Sequence, residues 1–225
     1  VGLEGSGKTS LALNAARALI KGNEGLPEAD KAEVVYFDVE NGLKDAQLLL
    51  YGLTKYNTPG FNYKVLNDGN QILSKLEELI VAYQGSSNVV FVVVDSVPHL
   101  SYIDESEQVK NYAKSVVVSE GPNKLKEFFK RNKARLANTN IHIMFMTFLT
   151  NNIAATHPGA EKFNVSGGSF LRYGSDIMFE LKPQGKPRKF EWKPPSEEGG
   201  MKPLRTGEVE PKNFQDVLLS FRKQL

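Results

Sequence analysis

The chain is 225 residues long, with 40% hydrophobic and 24% charged residues, a balance that fits one main domain with a substantial core and excludes a disordered or fibrous chain. Cysteine is absent and only three histidines are present, so a disulfide framework, a thiolate metal site and a zinc-ligand set are all excluded. With 28 basic against 26 acidic residues, the whole-molecule field announces no nucleic-acid binder, and such a role has to rest on local patches.

The first residues carry no charged-then-apolar leader pattern, and the chain opens without methionine almost on top of a motif that ordinarily follows a strand. The expectation is therefore a fragment lacking an N-terminal part. That motif is Gly2-Leu3-Glu4-Gly5-Ser6-Gly7-Lys8-Thr9. It satisfies G-x-x-x-x-G-K-[ST], in which glycines let successive backbone N–H groups turn inward around phosphate oxygens without side-chain obstruction. Lys8 adds positive charge for the β- and γ-phosphates, Thr9 offers a hydroxyl to magnesium, and the following helix points its positive end at the same anion. Gly2, Glu4, Gly5, Ser6, Gly7, Lys8, Thr9 and Ser10 are the expected nucleotide contacts. The plainer reading is a chance glycine-rich turn.

Apolar residues at helical spacing predict a helix over Thr9–Lys21, ending near Gly22. The β-branched and aromatic run Val34–Phe37 predicts a strand that delivers Asp38 and Glu40 to its C-terminal end. A hydrolytic site needs a carboxylate that orients water or takes its proton, and Glu40 is the candidate, with Asp38 in reserve. A second helix is expected over Asp45–Tyr56 and a third over Asn70–Tyr83, broken by Gly85-Ser86-Ser87. The strand Val89–Val94 follows and ends in Asp95. A parallel sheet would present that acid beside the phosphate loop as a magnesium ligand, the alternative being a turn cap.

Ser101–Glu120 is polar and irregular, Leu125, Phe128, Phe129 and Leu136 mark an amphipathic helix, and Ile141–Met146 a further strand. Thr150–Ser169 is a long polar stretch, of the kind that is functional or disordered. Ile177–Leu181 reads as a strand. Residues 183–211 are rich in Pro, Gly and Lys and receive no assignment, and Asn213–Leu225 is expected to be an amphipathic helix capped by Asn213. Strands alternating with helices predict an α/β fold with a mostly parallel central sheet flanked by helices, its ligand at the strands' C-terminal ends. The longest apolar run, Val89–Val94, is far short of the ~20 residues that span a bilayer.

Taken in order, Gly-Leu-Glu-Gly-Ser-Gly-Lys-Thr, Tyr-Phe-Asp-Val-Glu-Asn-Gly and Val-Val-Val-Asp-Ser-Val-Pro-His-Leu resemble the RecA family of recombinases, over a core running from the phosphate loop to about residue 182. The resemblance implies a P-loop NTPase of RecA type using ATP and Mg2+, in which Glu40 activates water and Asp95 serves magnesium. It also implies a homo-oligomer, filament or ring, on single-stranded DNA in recombination and repair, within the cytoplasm of a bacterial or phage-infected cell. Its two DNA-facing loops resemble Ser101–Pro122, with Lys110 and Lys114, and Asn151–Ser169, with Lys162, Phe163, Gly167 and Gly168, leading to Arg172. Paired glycines allow close approach to phosphates, and an exposed Phe163 is suited to stacking on a base; Tyr102, Tyr173 and Trp192 are further aromatics able to stack. The plainer reading is a glycine-rich helix entry with solvated charges.

One departure stands out. The family's glutamine that senses the γ-phosphate has no counterpart at Thr147-Phe148, because phenylalanine neither donates nor accepts that hydrogen bond. Two rival readings therefore remain open: a RecA-fold ATPase without strand exchange, such as a helicase motor or accessory protein, and a nucleotide-gated assembly ATPase.

Overall fold

Two strands in the middle of the chain are apolar on both sides, and this decides the layering. In β1 (Glu33–Asp38) and β3 (Val89–Asp95) the residues alternate between two cores. Val35, Phe37, Val90, Val92 and Val94 belong to one core, and Val34, Tyr36 and Val93 to the other. A strand buried on both faces must lie inside a sheet covered by helices on each side. The computed structural model describes residues 1–3, 5–102, 120–151, 163–189 and 213–222, and in it β2 (Phe61–Val65), β1, β3 and β4 (Asn140–Phe145) form a four-stranded sheet in that order. Every pairing in this sheet is parallel.

Helix α1 (Lys8–Gly22) and the short α2 (Asp45–Leu50) cover one face, burying Ala12, Leu13, Ala16 and Leu48. On the other face α3 (Gly69–Ala82) contributes Ile72, Leu76 and Ile80, and α4 (Glu120–Leu136) contributes Leu125 and Phe128. Each of these Leu, Ile and Phe side chains taken fully out of water is worth about 1.5–3 kcal/mol. The start of α3 is fixed by Asp68, whose carboxylate accepts from the backbone N–H groups of Asn70 and Gln71.

Along this sheet the chain passes from β1 outward to β2 and then returns across β1 to β3. The direction of winding reverses between β1 and β3, and at such a switch point the loops leaving the C-terminal strand ends separate to leave a crevice. Asp38 and Asp95 are register partners at that point. Gly2, at the head of the Gly2–Thr9 loop, bridges in parallel to both Phe148 and Leu181, which hangs the loop beside the same edge.

Several boundaries differ from expectation. α2 stops at Leu50 instead of running to Tyr56, because Gly52 takes φ 67° and the N–H groups of Gly52 and Leu53 return to the carbonyls of Leu49 and Leu48. That pair of bonds is a Schellman ending, and Leu53 and Leu48 lie in the same core beneath it. β2 receives no assignment from sequence, although Phe61, Tyr63 and Val65 alternate with Asn62 and Lys64. Within the long polar stretch, Leu149–Asn151 (β5) pairs antiparallel with Phe163–Val165 (β6) before the short helix α5 (Ser169–Gly174).

The largest correction is at the tail. Asn213–Arg222 is a strand, β8, paired antiparallel with β7 (Met178–Lys189), and not the expected helix. The apolar positions there satisfy both periods, since Val217, Leu219 and Phe221 recur at every second residue as readily as Phe214, Val217, Leu218 and Phe221 recur at helical spacing. A partner strand decides in favour of the ladder: β7 runs well past the expected Leu181 and continues through residues 182 and 183, where the core was expected to end. Among the described residues no helix is long and apolar enough to cross a membrane.

Candidate functional site

The Gly2–Thr9 loop, expected to hold phosphate, is built by its glycines. Gly5 and Gly7 take φ 70° and 87°, which a side-chain-bearing residue adopts only at a cost. A Cβ on Gly2 would stand 2.5 Å from Ser6 Oγ and 2.8 Å from the Leu181 carbonyl, so only glycine fits between the loop and β7. Ser6 Oγ is buried and, among the described residues, has no hydrogen-bond partner. Lys8 is 8% exposed and donates from Nζ to the carbonyls of Gly2 (3.1 Å) and Leu3 (2.8 Å). Its ammonium also lies 4.5 Å from the centre of the Phe148 ring, a cation–π contact.

The residue after Lys8 reaches the sheet. Thr9 Oγ1 donates to Asp95 Oδ2 at 2.8 Å, and Tyr36 OH donates to the same oxygen at 2.7 Å. Asp95, Tyr36 and Thr9 meet because β1 and β3 turn their alternate residues to the α1 face. Burial pushes the Asp95 carboxyl above the ordinary aspartate range; the hydrogen bonds from Tyr36 and Thr9 oppose this, and the charges of Glu40 and Asp38 add to it. Burial likewise pushes the Tyr36 phenol far up, so it remains a donor at any working pH.

The two acids after β1 separate in role. Asp38 is 2% exposed and fully engaged: it accepts from the N–H groups of Gly42 (3.1 Å) and Leu43 (3.0 Å) and from Tyr63 OH (2.5 Å). It ties the turn 39–43 to the sheet, and its burial withholds it from water. Glu40, on that turn, is half-exposed, and its Oε1 accepts from Ser96 Oγ at 2.6 Å and lies 2.8 Å from His99 Nδ1. His99 ends the 3-10 turn Val97–His99 that follows β3, and its ring meets Phe148 at 87° with centroids 5.7 Å apart.

These contacts close a circuit. From Lys8 it passes to Phe148, His99, Glu40 and Ser96, and returns through Asp95 and Thr9 to Lys8. The residues expected to serve phosphate, magnesium and water therefore share one site at the switch point. Tyr36, Ser96, His99 and Phe148 complete it without having been singled out for these contacts from sequence. Ser96 and His99 do fall within the quoted run that ends in Leu100, while Tyr36 is hidden among strand aromatics. Gly2, Gly5, Ser6, Gly7, Lys8 and Thr9 lie around the loop, Ser10 is exposed on the first turn of α1, and Glu4 lies outside the described residues.

The donors fit a magnesium nucleotide. A glycine-rich turn before a helix, an ammonium, a hydroxyl without a partner among the described residues and a hydroxyl–carboxylate pair are chemistry that suits a triphosphate with a hard cation. Among the described residues no group of three or more His, Asp or Glu forms a metal cage.

The expected DNA residues are placed only in part. Lys110, Lys114, Lys162 and Trp192 lie outside the described residues, and Phe163 is described by its backbone pairing with Asn151. Gly167 and Gly168 take φ 95° and 98°, and added Cβ atoms would stand 2.8 Å from Leu171 Cδ1 and 2.7 Å from Pro122 Cβ respectively. What these glycines admit at close range is thus the protein's own packing. Tyr102 is buried, pressed against Gly69 and Gly121, and is not a stacking platform. Arg172 is half-buried on α5. Thr147 Oγ1 donates to the Ser166 carbonyl, which joins the end of β4 to the β5–β6 hairpin.

On the opposite sheet face, Asn70, Leu73, Glu77, Lys124 and Arg131 line a cavity of about 260 Å³ between α3 and α4. Its Glu77–Arg131 pair is already made, and it stands apart from the phosphate loop. No family model matches the chain, and no curated protein matches it.

Proposed function

We propose that this chain is the nucleotide-binding core of a P-loop, magnesium-dependent ATPase of RecA type, serving a recombinase that assembles on single-stranded DNA as a homo-oligomer in the cytoplasm. The observation that carries the reading is the 2.8 Å bond from Thr9 to Asp95, which joins the phosphate loop to the end of β3. Thr9 and Asp95 would hold magnesium, and Lys8 would exchange its loop carbonyls for phosphate oxygens. Magnesium, when bound, neutralises phosphate charge and polarises the phosphoryl oxygens. Glu40 orients a water and takes its proton as the water oxygen bonds to the γ-phosphorus and the bond to the bridging oxygen breaks, releasing ADP. Positioning and charge supply most of the acceleration, since phosphoryl transfer asks little covalent chemistry of the protein.

The recombinase part of the reading is supported by the loop roots. Pro122, at the end of one expected DNA loop, adjoins Gly168, at the end of the other, and Val97 adjoins Gly167. The C-terminal ends of the two expected loops thus lie side by side. A second reading, a RecA-fold ATPase that does not exchange strands, is favoured by Phe148, an aromatic ring at the end of β4 that offers phosphate no hydrogen bond.

The test is kinetic. Lys8→Ala is expected to abolish nucleotide-dependent function, and Glu40→Gln to keep nucleotide affinity while turnover falls by roughly 10²-fold or more. Unchanged hydrolysis by Glu40→Gln would remove Glu40 from the reaction. Single-stranded DNA should stimulate hydrolysis, with affinity falling steeply as salt is raised. Stimulated hydrolysis without joint-molecule formation selects the second reading, and indifference to DNA removes both in favour of a nucleotide-gated protein assembly.

A further inference from the structure

Glu40 sits on a turn at the edge of the sheet with its side chain 39% exposed. A carboxylate so placed is free to sample rotamers, yet orienting a water demands one of them. Here the rotamer is set by neighbours outside the turn. Ser96 Oγ and His99 Nδ1 both converge on the same oxygen, Oε1, at 2.6 and 2.8 Å. Ser96 Oγ donates to that oxygen, and the imidazole edge stands beside both, hydrogen-bonded to Ser96 Oγ. Among the described residues Oε2 makes no hydrogen bond, so the other oxygen is left to accept from water.

The donors are themselves held. Ser96 is fully buried, directly after Asp95. His99 is anchored by the 3-10 turn, where its N–H donates to the Ser96 carbonyl at 3.2 Å, and its ring is braced edge-to-face with Phe148. Ser96 Oγ and His99 Nδ1 are 2.9 Å apart, so the three polar atoms form a triangle. One arrangement of protons satisfies both bonds: Ser96 Oγ–H donates to Glu40 Oε1, and the imidazole carries its proton on Nδ1 and donates it to Ser96 Oγ.

We infer that His99 is a positioning residue for Glu40, acting through Ser96: an Nδ1–H bond orients the Ser96 hydroxyl onto Glu40 Oε1 so that the other carboxylate oxygen is presented to the attacking water. This rests on the proposed role of Glu40 in hydrolysis. It assigns His99 no contact with nucleotide, so the effect belongs to turnover and not to binding.

Substitutions at the same atom position separate this from a structural role. Asparagine places its amide nitrogen the same number of bonds from the backbone as Nδ1 and donates there, whereas alanine does not. His99→Ala is expected to lower kcat by roughly 10- to 100-fold, with KM for ATP and the affinity for a fluorescent ATP analogue unchanged. His99→Asn is expected to recover most of that loss. Equal defects in the two variants, or a matching fall in nucleotide affinity, would overturn the inference. A measurement independent of activity is the nitrogen-15 spectrum of the imidazole in the nucleotide-free protein. It should report a proton on Nδ1, with altered resonances in Glu40→Ala; an unprotonated Nδ1 would sink the idea. If Glu40→Gln itself leaves hydrolysis intact, the assignment of Glu40 fails first and the role of His99 in orienting it falls too. A crippled Glu40→Gln beside a fully active His99→Ala overturns the positioning role alone.

Discussion

Asp38 ends β1 and Glu40 stands two residues on, in the turn that follows, and they do different work because one is buried under its hydrogen bonds and the other is open to solvent. Asp38 spends both oxygens on Gly42, Leu43 and Tyr63. An amide in its place would set a donor against one of those donors, and losing hydrogen bonds to a buried carboxylate costs about 1.5–3 kcal/mol. Asp38→Asn is therefore expected to lower the melting temperature by several degrees and also to slow turnover, because the turn that carries Glu40 comes loose. Glu40→Gln, half-exposed, should leave the melting temperature nearly unchanged while it removes hydrolysis. Thermal melts and turnover measured on both variants separate the roles. A stable Asp38→Asn with normal melting would mean that the turn is held by something other than this carboxylate.

At the scale of elements, sequence patterns reveal most where burial is two-sided or periodic over a long run. β1, β3, α1, α3 and α4 fall within a few residues of their expected bounds, since their apolar runs had one periodicity to satisfy. The site was legible for the same reason: an apolar strand ending in an acid and a glycine-rich turn before a helix each carry a physical signature. What escaped detection depended on partners distant in sequence. β2 is a five-residue edge strand whose alternation is too short to stand alone, and β8 needed β7 to choose between two periods. His99 and Phe148 gained their roles only when separate loops met. α2 was over-extended because its last turn was judged by apolar content, while its Schellman ending depends on Gly52 at φ 67°. No atom lies within 4 Å of a Cβ added there, so the penalty for Gly52→Ala is purely backbone strain, about 1–2 kcal/mol. Chemical denaturation should show a lower midpoint with an unchanged slope, and a wild-type midpoint would mean the helix end does not rely on the left-handed residue.

For the molecule as a whole, the sheet with its two covered faces supplies stability, and the switch point draws on it. Asp95 is the clearest instance, a carboxyl that burial above all makes reluctant to ionise. Its folded pKa lies above its unfolded one, so as pH rises the unfolded chain releases this proton first. The contribution is favourable below the ordinary aspartate range and is lost as pH climbs through it. Asn at position 95 keeps an oxygen to accept from Thr9 and Tyr36 and carries no charge. Nucleotide-free Asp95→Asn should therefore melt above wild type at neutral pH, and the gap should close as the solution is acidified below the range in which aspartate ionises. Adding magnesium and ATP should reverse the order. A ligand at a hundred times its Kd adds about 2.7 kcal/mol to the folded state, and only the wild type offers a full charge to the cation. Melting curves across pH, with and without magnesium–ATP, read both halves of the argument. If the variant is no more stable without ligand, burial is not what Asp95 pays; if it gains as much as wild type from magnesium and ATP, Asp95 does not serve the metal.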